Sequence, residues 1–171
     1  MGDRYIAMLQ SIAAMATPDH TAEGVDYFFL GDVVLKRYHD AERALDEYET
    51  LDLLEQLGIR APRARVIPWA HKGEDGLALL VERLTGPTLA DLDAAARKVY
   101  APAVDKLLEA MWKNCVYKFT FSPRDLTCLE DGTVALNTIE NVDIGLNYDE
   151  RYQLQVENRI RRAAGLPEYK R

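Results

Sequence analysis

Lys36 and Glu47 are the residues whose types and spacing most directly suggest chemistry. Lys36 closes a run of branched residues, Val33-Val34-Leu35, that reads as a buried strand, and Glu47 falls on the amphipathic stretch that follows. A strand lysine facing a glutamate on an adjacent helix can hold a cation at a phosphate site. The carboxylate orients the ammonium, and the ammonium contacts phosphate oxygens. The same two residues also have a plainer reading, an ion pair that ties sheet to helix. Other reactive groups give less. His20, His39 and His71 fall in loops or at element ends, without the Cys, Asp or Glu spacing of a metal site. Cys115 reads as a core residue on the apolar face of a long helix. Cys128 reads as part of a short strand, and neither has a local His or Lys to activate it. No phosphate-binding P-loop and no serine nucleophile elbow occurs.

The elements that must position Lys36 and Glu47 follow from periodicity. Val25 to Leu30 is a strand, Gly31-Asp32 a turn, and Val33 to Tyr38 the returning strand. Asp40 caps a helix whose Ala41, Ala44, Leu45, Tyr48, Leu51 and Leu54 recur at helical steps. Gly58 stops it. Ala64 to Trp69 and Leu77 to Val81 are two further strands. Thr88, with Asp91 three residues on, predicts a helix start. A long helix is expected from Pro102 to Phe119, with the segment 94–101 either extending a helix or forming a loop. A second hairpin follows over Leu126–Leu129 and Val134–Leu136. Tyr5 to Ala16 reads as a helix rather than a leader, because Asp3, Gln10 and Ser11 break the pattern of a signal peptide. Asp149 to Ala164 is the last helix, with Gly165 as its stop. Arg159, Arg161 and Arg162 crowd its last turn, where cations suit the helix dipole or could form a basic docking patch. The plan is α+β.

Composition narrows the classes. The chain has 171 residues, 48% hydrophobic and 29% charged, within the range of one globular domain rather than a disordered segment. Two cysteines exclude a disulfide-dense scaffold. The net charge of -7 argues against a nucleic-acid partner, whose binders present basic faces. No run of about 18 apolar residues occurs, so no membrane span is expected, and a cytoplasmic location is.

Taken in order, these pieces resemble the protein-kinase-like fold, in the form of small bacterial and phage proteins related to aminoglycoside and lipopolysaccharide kinases. The stretches that carry the resemblance are Val33-Val34-Leu35-Lys36, then Glu47 with Leu51, Leu54 and Gly58, then Ile59 and Pro62. They continue with Leu79-Leu80-Val81-Glu82-Arg83-Leu84, Gly86 and Leu89, which look like the fifth strand and hinge. Thr120 to Leu126 occupies the catalytic loop, and Glu130 to Asn141 the hairpin and metal segment. The likeness spans residues 22–145. It implies a single kinase-like domain over 1–171: an N-lobe over 1–84, with an antiparallel sheet, one helix and the N-terminal helix, and a truncated, mostly helical C-lobe over 85–171. It implies nucleotide contacts at Lys36, Glu47, Glu82 and Leu84, with ATP and Mg²⁺ as the cofactors.

The departures matter as much. The family's catalytic-base Asp falls on Thr120, its Asn on Asp125, and its metal-binding Asp on Thr138. A threonine hydroxyl is no base near neutral pH and a poor ligand for a hard divalent cation. Only Glu23-Gly24 stands where a Gly-rich loop is expected. The expectation is therefore a minimal pseudokinase, a catalytically impaired binding module acting through a protein partner and modulated by nucleotide. Its economy of length suits a phage or mobile-element protein. The alternative is a divergent ATP-dependent phosphotransferase with Asp125 as catalytic residue and Asp125, Glu140 and Asp143 as metal ligands. A second alternative is a small α+β interaction protein unrelated to kinases.

Overall fold

Side chains on a strand alternate between faces, and in this molecule both faces of one sheet are covered. The computed structural model describes residues 3–71, 73–145 and 149–170. The chain divides into two compact units, one of Met1–Leu53 with Pro62–Arg83, the other of Leu54–Ala61 with Leu84–Arg171.

The first unit contains α1 (Asp3–Met15), β1 (His20–Ala22), β2 (Val25–Leu30), β3 (Val33–Tyr38), most of α2 (Ala41–Gln56), β4 (Ala64–His71) and β5 (Glu74–Glu82). The strands form an antiparallel sheet in the order β1-β2-β3-β5-β4. Glu23 and Gly24, both with positive φ (51° and 77°), make the tight turn between β1 and β2. Phe28, Leu35, Ile67, Ala78 and Leu80 point to one face and bury Leu9 and Ala13 of α1. Val25, Tyr38, Leu79 and Val81 point to the other and bury Ala44 of α2. Each such Leu or Phe contributes about 1.5–3 kcal/mol on burial. Asp40 caps α2 by accepting from the Glu42 N–H at 2.9 Å. Gly58, at φ 71°, closes it, with Ile59 N–H returning to Leu54 O at 2.9 Å.

The second unit contains α3 (Ala94–Lys113), β6 (Val116–Lys118), a one-turn helix at Pro123–Asp125, β7 (Leu126–Cys128), β8 (Val134–Leu136), β9 (Val142–Ile144) and α4 (Glu150–Ala163). β6 pairs with β9 and β7 with β8, both antiparallel. α3 buries Val104, Leu107, Leu108 and Met111 and packs against α4, β6 and β8. The Leu136 N–H donates to Arg60 O at 2.9 Å, which ties residues 54–61 to β8.

Several expectations change here. The Thr88–Asp91 pattern makes a single turn rather than a helix. Asp91 accepts from the Thr88 hydroxyl and N–H at 2.6 and 3.0 Å, and Thr88 then bridges to Thr127, which holds the chain extended. The long helix starts at Ala94 because Asp93 caps it, accepting from Ala95 and Ala96 N–H, and Pro102 lies inside it. It ends at Lys113, so residues 116–118 are free to form a strand. Cys115 takes φ 53° in the connection and is exposed, not core. Of the arginines in the last turn of α4, Arg161 is buried. It pairs with Asp105 of α3, donates to Pro167 O at 2.6 Å, and stacks 3.6 Å from the Tyr169 ring centroid. It is an internal clamp, not part of a docking patch. Among the described residues no helix is long and apolar enough to cross a membrane.

Candidate functional site

In the first unit the strand lysine and the helix glutamate do meet. Lys36 of β3 stands opposite Tyr27 and Leu79, on the face that α2 covers. Its Nζ donates to Glu47 Oε1 at 2.6 Å. The Tyr38 hydroxyl, two residues on and therefore on the same face, makes a short bond to Glu47 Oε2. Burial first, then the charge and hydrogen bond of Glu47, push the Tyr38 hydroxyl far above its ordinary pKa, which keeps it the donor. Both oxygens of Glu47 are thus committed, one to a cation and one to a phenol. The Lys36 ammonium has three donors and Glu47 takes one. With side chains about one-fifth exposed (22% and 20%), the pair is reachable by a ligand. Glu82 ends β5, where its carboxylate accepts from the Arg63 N–H at 3.1 Å. Leu84, half-buried, is where the chain passes into the second unit.

The opposite face of the same sheet holds a cluster that sequence reasoning missed. Asp26 is 4% exposed. It accepts from Arg37 Nε and Nη2 at 2.9 and 2.5 Å and from the Thr21 hydroxyl at 2.6 Å, with His39 Nε2 3.2 Å away. Burial alone would raise the Asp26 carboxyl, but these bonds and the Arg37 charge hold it below the usual carboxylate range. Arg37 also donates to Ala13 O at 2.7 Å, placing a cation at the C-terminal end of α1. The alternation of β3 gave the signal: Arg37 must face away from Lys36.

In the second unit, Asp125 closes a capping box. Its Oδ2 accepts from the Ser122 N–H and hydroxyl at 2.7 and 2.9 Å, and Pro123 starts the turn. Behind it lies Lys118, 1% exposed, which no motif flagged. Its Nζ donates to Thr138 Oγ1 at 3.0 Å and to Glu140 O at 2.6 Å, and stands 3.8 Å from Asp125 Oδ1. Burial lowers the Lys118 pKa, while the charges of Asp125 and Glu140 pull it back. The only hint in sequence was a lysine between Tyr117 and Phe119, in a stretch with no polar face. Thr120 is exposed, with the Asn141 amide 3.4 Å from its hydroxyl.

The three expected metal ligands do not form one set among the described residues, although Asp125 and Glu140 both lie by Lys118. Asp125 is spent on the cap and on Lys118. Glu140 offers Lys118 its carbonyl and holds an exposed side chain. Asp143 is exposed on β9, opposite Tyr117. Among the described residues no group of three or more His, Cys, Asp or Glu could hold a metal ion. An ammonium sits among the oxygens instead, so the residues present do not fit the divalent cation that a kinase-like fold implies.

No family model matches the chain, and no curated protein matches it in sequence. Solved structures do. The bifunctional kinase-methyltransferase WbdD is similar at a TM-score of 0.50 and 19% identity, over 81% of this chain and 34% of that one. A higher-resolution WbdD structure gives 0.49 and 19%, over 82% and 35%. WbdD crystallised with the kinase inhibitor LY294002 gives 0.49 and 20%, over 86% and 37%. The chain therefore spans about a third of the length of the structures it matches. At this identity the likeness concerns fold alone. With a five-stranded antiparallel sheet and four α-helices among the described residues, the chain has an α+β, protein-kinase-like fold.

Proposed function

We propose that this chain is a protein-kinase-like binding module that acts through a protein partner and does not transfer phosphate, with Lys36, held by Glu47, as its contact for nucleotide phosphate. The observation that carries the reading is the use made of Asp125. It is the one carboxylate in the loop from Thr120 to Leu126. Its oxygens are occupied by Ser122 and faced by Lys118, not offered to a substrate hydroxyl. Phosphoryl transfer is mostly positioning and charge neutralisation, and threonines at 120 and 138 supply neither a base nor a metal carboxylate. The phosphotransferase reading with Asp125, Glu140 and Asp143 would need those three groups to act as one.

Support for a protein partner comes from a fixed aromatic pair on the second unit. Phe119 and Tyr152 are 47% and 44% exposed, and the Tyr152 hydroxyl donates to Phe119 O at 2.7 Å. An ordered, amphipathic ring on a surface loses little freedom on binding, which is why tyrosines anchor interfaces. The test is transfer from γ-labelled ATP with Mg²⁺, to the chain itself and to a general protein acceptor, in wild type and Lys36→Ala. Neither is expected to label above background. Mg²⁺-dependent labelling that Lys36→Ala removes would overturn the reading.

A further inference from the structure

A buried ammonium needs a reason, because leaving water is costly for a charge unless every donor finds a partner. Lys118 finds three oxygens of different kinds from two stretches of chain. They are the Thr138 hydroxyl, the Glu140 backbone carbonyl and, at ion-pair distance, the Asp125 carboxylate. Hydroxyl, carbonyl and carboxylate oxygens are the donors a hard cation collects. Their arrangement also explains a local geometry. Lys118 ends β6, Asp125 ends the one-turn helix, and Thr138 and Glu140 lie in the connection from β8 to β9. A single positive centre gathers all of these segments.

We propose that the Lys118 ammonium is a resident cation, occupying among Asp125, Thr138 and Glu140 the place a divalent metal would otherwise take, so that the second unit is assembled without metal. The location rests on the kinase-like reading above, but the claim is independent of whether phosphate is transferred. A fixed positive charge 3.8 Å from Asp125 both neutralises that carboxylate and repels a second cation.

Manganese uptake tests this without nucleotide or turnover. Free Mn²⁺ is followed by electron paramagnetic resonance as it is titrated into wild type, Asp125→Asn, and the double variant Lys118→Met with Thr138→Asp. Wild type and Asp125→Asn are expected to give the same isotherm, set by surface carboxylates alone. The double variant, which removes the ammonium and adds a carboxylate, is expected to gain one site per chain at least tenfold tighter than any in wild type. A one-per-chain site in wild type that Asp125→Asn removes overturns the inference. So does a folded double variant, checked by circular dichroism, that gains no site. If the double variant does not fold, the comparison of wild type with Asp125→Asn decides the matter. Mn²⁺ bound at Asp125 would sink the resident-cation claim while leaving the silent-module reading to its own labelling assay.

Discussion

Glu47 answers two donors from one strand, and that shared duty sets what its loss should do. Glu47→Gln removes the charge that Lys36 faces and weakens the Tyr38 bond. With both charged side chains partly wet, the cost is about 1–2 kcal/mol, or a fall in Tm of roughly 4 °C. An unchanged melting curve would show that the pair contributes nothing to stability. Asp26 supplies a pH dependence of definite sign. Its folded pKa lies below the ordinary 3.8, so its contribution is complete above that value and is lost as the pH falls through the folded pKa. Asp26→Asn is expected to be less stable than wild type at neutral pH and to lose less between about pH 5 and pH 2, read by urea unfolding across that range. A steeper acid loss in Asp26→Asn would contradict it. At this scale the sequence showed Lys36 and Glu47, because a strand and an amphipathic helix in succession announce their facing sides. It hid Lys118, because a single lysine in a short apolar stretch looks like the tail of a helix until the strand Val116–Lys118 turns it inward.

Elements were legible where one signal dominated and misread where two competed. Val33 to Tyr38 and the helix closed by Gly58 have both their periodicity and their caps in agreement. Around Thr88 the local cap pattern is real, with its hydrogen bonds made, but the pairing of Thr88 with Thr127 wins and no helix grows. Pro102 looked like a first helical residue because proline favours that place, yet the Asp93 cap lies upstream and the helix runs through the proline. The three-residue strands β6 and β9 are too short to show alternation at all. One glycine holds the turn before Thr88 in place. Gly86 has φ 147°, and a Cβ there would lie 2.2 Å from Cys128 O. Because the neighbour is backbone, Gly86→Ala should cost about 3 kcal/mol or more, whereas Gly73→Ala, with positive φ but open space around it, should cost about 1 kcal/mol. Chemical denaturation of the two variants separates these mechanisms. Equal losses would mean that backbone strain, not the approach to β7, sets the cost.

At the scale of the whole molecule, the order of pieces was readable because the helices of the first unit and its strands from Val25 onward are signalled separately and a kinase-like fold strings them in a fixed sequence, while the three-residue β1 (His20–Ala22) gave no signal. What the chain does with that fold was less readable, since it depends on which carboxylates remain free, and that is a matter of tertiary partners. Asp125 looks available in sequence and is bound in structure. We propose a kinase-like chain that meets phosphate through Lys36 without a metal. Its most direct test is calorimetric titration of ATP into wild type and Lys36→Ala, each with and without Mg²⁺. Binding to wild type is expected to be the same in both conditions within twofold, and binding to Lys36→Ala at least tenfold weaker. Affinity that appears only with Mg²⁺, or that Lys36→Ala leaves intact, would contradict it.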